Sequence, residues 1–171
     1  MAAAEQPDAI AMLKADHRKV EGLFADYEAA KGDARKKALA EQICMELTIH
    51  TRIEEDVFYP ACKGGVDEAL LNEAYVEHDG AKVLIAEIEA GGPDERFYDA
   101  KVKVLSEMIE HHVEEEEKRV EGMFSQARKA GLDMDGLGER MAEEKHRLKA
   151  SYKREGLPTP STPTFEATTL R

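Results

Sequence analysis

The segment His50-Thr-Arg-Ile-Glu-Glu-Asp-Val-Phe-Tyr-Pro60 decides the expected fold, because its histidine and first glutamate stand where a packed helix needs apolar side chains. The surrounding apolar residues recur at three- and four-residue intervals, at Ile43, Leu47, Val57 and Ala61. His50 and Glu54 fill the two gaps in that series. One helix face therefore carries an imidazole and a carboxylate toward the expected core.

Apolar series with the same kind of interruption occur in three further segments. They are 8–31 with His17, 67–90 with His78, and 94–130 with His112 and Glu116. The last series runs on through Val120 and Met123. All four expected helices thus place a histidine on the face that packs.

Glycines paired with helix-capping aspartates separate these segments. The sequence predicts helices over about 8–31, 33–63, 67–90 and 94–130, and a weaker fifth near 135–154. Short loops make neighbouring helices antiparallel, so we expect an all-α, up-down-up-down four-helix bundle over 1–132. The fifth helix occupies 133–155, and a disordered Thr/Pro tail follows over 156–171.

The four histidines are expected at one depth in the bundle. His17 precedes Gly32 and His50 follows it at distances of about 22 to 27 Å along the helices, from a rise of about 1.5 Å per residue. His78 and His112 flank Gly92 at about 21 and 30 Å. The interval between the paired histidines is 33 residues in one hairpin (50 − 17) and 34 in the other (112 − 78). Two hairpins therefore present the same side chains at matching places.

A histidine followed by a glutamate four residues later is not informative alone, because the chain is acidic. Four of its 6 histidines have such a glutamate, namely His17, His50, His111 and His112. Three features together are informative: the position of these residues on the packing face, their common depth and their repetition in two hairpins. Burying such groups without partners costs several kcal/mol each, by the usual order of magnitude. A metal centre relieves that cost. Four imidazoles and two bridging carboxylates suit two ions with open positions, iron first and manganese less favoured.

The sequence resembles hemerythrin-like proteins of the HHE cation-binding type over about residues 8–130. The residues that carry the resemblance are Leu13-Lys-Ala-Asp-His17 with Leu23-Phe24, the 50–60 segment, Glu77-His78 and His111-His-Val-Glu-Glu-Glu-Glu117. The resemblance implies a four-helix bundle around a non-haem di-iron centre, with an oxo or hydroxo bridge, that handles dioxygen or related small molecules. The implied ligands are His17, His50, Glu54, His78, His112 and Glu116.

His111 is an alternative to His112, because it lies on a second possible seam. We prefer His112, since Glu116-Glu117 then matches Glu54-Glu55. Glu55 and Glu117 lie beside the seam and are expected to orient ligand imidazoles by hydrogen bonds.

Three functions are compatible with this pattern. The favoured one is binding of dioxygen, nitric oxide or peroxide for sensing, storage or scavenging. The second is an enzyme that decomposes hydrogen peroxide or nitric oxide, for which the nearby proton donors are Tyr27, Tyr59 and Tyr75. The third is a helical interaction module with a structural metal site, whose protein partner the sequence leaves unknown.

Composition and charge exclude several other classes. With 24 basic and 36 acidic residues, the formal net charge is −12, which disfavours nucleic acid as a partner. No apolar stretch is long enough to span a membrane, and the first residues lack signal-peptide features, so a cytoplasmic location is expected. The 2 cysteines, Cys44 and Cys62, are expected to be reduced and structural.

Overall fold

The computed structural model describes residues 7–165, and this part of the chain is all-helical, as predicted. One helix contains a five-residue π-helical turn, in which hydrogen bonds span five residues instead of four. The elements are α1 (Ala9–Ala29), α2 (Asp33–Ile53), the π turn (Glu54–Phe58), α3 (Tyr59–Cys62), α4 (Glu68–Ala90), α5 (Tyr98–Glu117), α6 (Met123–Lys129) and α7 (Met134–Glu155).

Aspartate caps fix the starts of several helices, as the glycine and aspartate pairs in the sequence predict. Asp8 accepts a hydrogen bond from the backbone of Ala11, and Asp67 accepts from Ala69 and Leu70. α1 pairs with α2, α4 pairs with α5, and α7 packs against α1 and α2. The fifth helix is therefore a full element of 22 residues laid against the first hairpin.

The predicted helix over 94–130 is wrong in extent. α5 begins at Tyr98 and ends at Glu117, and α6 begins only at Met123. A run of carboxylates at the carboxyl end of α5 opposes the helix dipole, and Gly122 returns so close to Lys118 that a Cβ would clash with its backbone. Val120, which continues the apolar series in the sequence, is 67% exposed in this turn.

Two apolar clusters lie on either side of a layer of buried polar residues. Leu13 belongs to the first cluster and Val20 to the second, with His17 between them on α1. Ile53 and Leu47 flank His50 on α2 in the same way, and Ala74 and Ala81 flank His78 on α4. The histidines therefore lie at one depth, as the sequence predicts.

The described part of the Thr/Pro tail, residues 156–165, contains no helix. It packs against α4 nonetheless, because the backbone N–H and the hydroxyl of Thr164 donate to Asp79 at 2.8 and 2.7 Å. Lys82 donates to the carbonyl of Ser161 at 3.2 Å. The sequence-based prediction of disorder did not foresee these contacts, and residues 166–171 lie outside the described residues.

Two further features bear on the sequence-based expectations. Cys44 and Cys62 are both free and buried. Among residues 7–165, none of the helices combines the length and the apolar character required to cross a bilayer.

Candidate metal centre

The structure brings together the six side chains that the sequence singled out. Each is at most 6% exposed, and they come from α1, the α2 and π-turn helix, α4 and α5. The imidazoles form two pairs, which we call subsite A (His17 and His50) and subsite B (His78 and His112). Within each pair the two Nε2 atoms are 3.1 Å apart.

Glu54 and Glu116 each extend one carboxylate oxygen toward each subsite. Oε1 of Glu54 is 3.1 Å from His50 Nε2, and its Oε2 is 3.0 Å from His78 Nε2. Oε2 of Glu116 is 3.2 Å from His17 Nε2, and its Oε1 is 3.3 Å from His112 Nε2. Each subsite is thus surrounded by two nitrogens and two oxygens, with both carboxylates shared.

Every one of the four imidazoles has a carboxylate at its other ring nitrogen. We call these the outer carboxylates. The Nδ1 distances are 2.7 Å from His17 to Glu117, 3.2 Å from His50 to Asp16, 3.1 Å from His78 to Glu55 and 2.5 Å from His112 to Glu77. A carboxylate can only accept, so Nδ1 of each imidazole donates to its outer carboxylate, and Nε2 is the nitrogen that is left for a cation.

Within each subsite the two Nε2 atoms face each other across 3.1 Å, an arrangement that needs a proton or a metal cation between them. Among the described residues, Glu54 Oε1 and Glu116 Oε2 are buried and make no hydrogen bond, although each lies close to an imidazole nitrogen. Both observations fit a site whose donor atoms face metal ions.

The charge around the centre also fits metal ions. Two inner and four outer carboxylates face three basic side chains: Arg18 beside Glu117, Lys145 beside Asp16, and Lys82 beside Glu55. The fourth outer carboxylate, Glu77, has exposed His111 at 3.4 Å. Two divalent cations would more than offset the remaining excess of three negative charges. Imidazole and carboxylate donors in equal number are a set that iron and manganese accept.

Two of the four imidazoles have raised pKa values in the absence of a metal ion. Burial lowers the pKa of His50, but the carboxylates of Glu54 and Asp16 outweigh burial and raise that pKa to about 10. For His112, burial likewise acts downward, and Glu116 with its neighbours raises the pKa well above the ordinary value. Protons thus take the place that cations would fill, so metal binding and proton release are expected to be linked.

Tyr59 joins the centre because of the π turn. An α-helix would turn residue 59 away from residue 54, but the π turn bonds the backbone N–H of Tyr59 to the carbonyl of Glu54 and stacks the two side chains on one face. The hydroxyl of Tyr59 lies 3.0 Å from Glu54 Oε2 and 2.7 Å from Glu116 Oε1. Burial, then Glu116 and Glu54, raise the pKa of Tyr59 well above its usual value, so the phenol keeps its proton.

Sequence reasoning found two of the four outer carboxylates, Glu55 and Glu117, and missed Asp16 and Glu77. The missed pair had a signal, because each directly precedes a histidine of the inner set in the chain. Each contacts the histidine of the next helix instead: Asp16 lies at Nδ1 of His50, and Glu77 lies at Nδ1 of His112.

The alternatives considered from the sequence lie outside the centre. His111 is 57% exposed in its side chain, whereas His112 is 5% exposed. His111 instead groups near the surface with Glu73 and with the outer carboxylate Glu77. The described structure thus places His112, and not His111, in the buried cluster.

Fold and site together define a helical bundle with a buried histidine and carboxylate cluster that fits a metal centre. The family model for the hemerythrin HHE cation binding domain matches residues 8–124. The chain therefore belongs to the hemerythrin HHE cation binding domain family.

Other proteins share sequence or fold with this chain at low identity. A DNA nickase of Nostoc sp. is 29% identical over 106 residues, which are 62% of this chain and 30% of the nickase, so the match spans under a third of that relative. A protein of Mycobacterium tuberculosis named only as uncharacterized is 24% identical over 82% of this chain and 86% of its own length. The crystal structure of an HHE domain-containing protein from Mycobacterium kansasii superposes with a TM-score of 0.73 at 24% identity, over 88% of this chain and 95% of that one, which shows a shared fold.

Proposed function

We propose that His17, His50, Glu54, His78, His112 and Glu116 bind two iron ions, and that the centre binds dioxygen, nitric oxide or peroxide. Two irons held there would supply reversible oxidation and open coordination positions, since the protein offers each subsite four donors of the six that an octahedral ion accepts. The observation that carries the proposal is the pairing of buried Nε2 atoms at 3.1 Å, with carboxylates shared between both pairs.

The space beside the histidines supports a very small ligand. A cavity of about 20 Å³ touches all four imidazoles. One water needs about 10–15 Å³ on a comparable measure, so the cavity suits a molecule of at most two heavy atoms. The rest of its wall consists of four apolar side chains together with Asp16 and Thr51; the apolar ones are Val20, Leu47, Ile109 and Val113. A largely apolar wall that includes a carboxylate favours dioxygen or nitric oxide over charged anions.

A surface groove shares two lining residues with this cavity. Ile109 and Val113 line the cavity and also a groove of about 500 Å³ between α1 and α5. We expect movement of these two side chains to join the groove to the cavity, so that small neutral molecules reach the histidines without opening the bundle.

The first test is metal content. Protein purified without chelator is expected to hold about two irons per chain, measured with manganese and zinc by mass spectrometry. The diferrous protein, made without air, should change its visible spectrum on exposure to oxygen and recover when oxygen is removed. A chain that holds no iron after anaerobic loading would contradict the di-iron assignment and favour a helical interaction module.

A second candidate function, peroxide or nitric oxide decomposition, is favoured by Tyr59. Its buried hydroxyl can donate a proton to a ligand near Glu54 and Glu116, which turnover requires and simple binding does not. Evolution of oxygen from hydrogen peroxide over many cycles would favour the enzymatic function. A single reaction per centre would favour the binding function.

The expectations about partners and location stay predictions. The name of the Nostoc relative describes a protein more than three times as long as the matched region, and the net charge of −12 still disfavours nucleic acid for this chain. A cytoplasmic location is likewise predicted.

A further inference from the structure

The segment that follows the family-matched region reaches the metal centre at two points. We call residues 134–165, which comprise α7 and the described tail, the C-terminal extension. We propose that this extension is a positioning element of the centre, and that Lys145 is its principal positioning residue, acting through Asp16 on His50. The inference rests on the proposed metal function and adds a control of subsite A by residues outside 8–124.

Lys145 occupies a place on α7 where packing would favour an apolar residue. The buried side chains of this helix include Met141, Leu148 and Tyr152, and Lys145 stands between the first two at the same three- and four-residue spacing. Its side chain is 25% exposed. Placing a lysine on a packing face costs desolvation energy, so the ion pair that it forms there should be strong enough to offset that cost.

That partner is Asp16, which is only 9% exposed. Oδ1 of Asp16 accepts from the ammonium of Lys145, and Oδ2 lies 3.2 Å from His50 Nδ1. Both carboxylate oxygens are therefore committed, one to α7 and one to the imidazole of subsite A. The chain of contacts from α7 to the Nε2 donor of His50 contains a single intermediate residue.

Close packing against the start of α1 fixes the position of α7 along the bundle, and with it the contact between Lys145 and Asp16. A Cβ at Gly138 would come within 2.7 Å of the carbonyl oxygen of Pro7, so only glycine allows α7 to approach the start of α1 this closely. This close approach sets the height at which Lys145 meets Asp16.

The tail makes a second, longer connection, to subsite B. Thr164 donates to Asp79, which also accepts from Lys82 at 2.9 Å. Lys82 in turn lies 2.9 Å from the outer carboxylate Glu55, which orients His78. The shortest tail path, from the carbonyl of Ser161 through Lys82 and Glu55, still has one intermediate residue more than the path through Lys145, so this connection is expected to have the smaller effect.

The test compares Lys145→Met with Lys145→Arg, using Lys153→Met as a matched control at an exposed position of the same helix. Release of iron to a ferrous chelator is followed without air on the full chain. Changes to partners of metal-bound histidines typically weaken metal binding by about 10–100-fold. We expect one of the two irons to leave about 10-fold faster in Lys145→Met, and near wild-type rates in Lys145→Arg and Lys153→Met.

The reduction potential provides a readout that packing alone would not move. Loss of a positive charge near subsite A favours the ferric ion, so the potential of one iron should fall in Lys145→Met and return in Lys145→Arg. Lys145→Met leaves a buried carboxylate without its cation, so the double variant Asp16→Asn with Lys145→Met is also made. If Lys145 acts through Asp16, the double variant releases iron as fast as Asp16→Asn alone.

The outcomes separate this inference from the proposed function. A wild-type chain that binds two irons, combined with unchanged release and potential in Lys145→Met, overturns the role of Lys145. Failure of Lys145→Arg to restore either quantity overturns it as well. A wild-type chain that binds no iron overturns the proposed metal function, and this inference with it.

Discussion

The two helical hairpins, α1 with α2 and α4 with α5, carry the same donor set in different surroundings. In each, an acidic residue precedes a single histidine, and a histidine on the next helix is followed four and five residues later by two glutamates. The geometry repeats with the sequence, since the acidic residue orients the histidine of its own hairpin and the last glutamate orients one in the other hairpin.

The hairpins differ in how the second helix continues. After Glu55 the first hairpin forms a π turn that brings Tyr59 onto the shared carboxylates. After Glu117 the second hairpin leaves the helix, and the residue that corresponds to Tyr59 by its distance from the histidine is Glu121, which has a φ of 65°. The only phenol in contact with the inner donors therefore comes, among the described residues, from one hairpin.

They also differ in what covers them. α7 packs on the first hairpin and supplies Lys145 to Asp16, whereas the matching carboxylate of the second hairpin, Glu77, meets exposed His111. If the centre holds two irons, as proposed, identical donor atoms in different electrostatic surroundings should give the two ions unequal reactivity. The comparison teaches that the hairpins offer the same donor atoms and that the neighbouring elements make the two subsites differ.

The largest expected effect comes from removing an equivalent ligand from either hairpin. His50→Ala and His112→Ala should each weaken iron binding by more than about 100-fold, since even outer partners are worth about 10–100-fold. Competition with a chelator measures the affinity. His111→Ala is the matched control and should bind like wild type, because His111 lies at the surface. Retention of two tightly held irons by His112→Ala would break the equivalence of the hairpins.

Tyr59→Phe tests the main asymmetry. The variant should keep two irons, because the six donors are intact, but it should lose proton donation near Glu54 and Glu116. Peroxide decomposition should slow by about 100-fold, at the lower end of what a positioned acid contributes. Tyr75→Phe, whose ring lies 5.2 Å from that of Tyr59, is the control. Equal rates in Tyr59→Phe and wild type would assign the phenol to packing alone.

The outer carboxylates offer a finer test of the repeat. Asp16→Asn and Glu77→Gln alter equivalent positions and keep the side-chain volume, so each should weaken iron binding by about 10-fold through loss of a charged acceptor at Nδ1. Chelator competition gives both affinities. Glu73→Gln, one turn before Glu77 on the surface, should have no effect. Unchanged affinity in both variants would show that the carboxylates do not orient the histidines.

The sequence predicted the features that depend on local pattern. Helix faces, turns and the six inner residues follow from periodicity, because a polar side chain on an apolar face is visible without tertiary structure. The π turn was missed, since one extra residue in a helical turn leaves the pattern before it intact. The end of α5 at Glu117 was missed because Val120 and Met123 continue the apolar spacing. The contacts of Lys145 and Thr164 join elements that are distant in the chain, so the local sequence pattern cannot predict them.

The smallest expected effect concerns the turn that ends the second hairpin. Glu121 has a φ of 65°, a conformation that costs a residue with a Cβ about 1 kcal/mol and costs glycine nothing. Glycine also adds entropy to the unfolded chain, so Glu121→Gly should raise the free energy of unfolding by only about 0.5 kcal/mol. Urea unfolding of the metal-free protein measures it. Lys118→Gly is the control, because Lys118 has a φ of −47° that any residue adopts, and it should lower the free energy. A loss of stability in Glu121→Gly would mean that the Glu121 side chain itself holds the turn in place, so that the second hairpin, like the first, depends on a specific residue after its last glutamate.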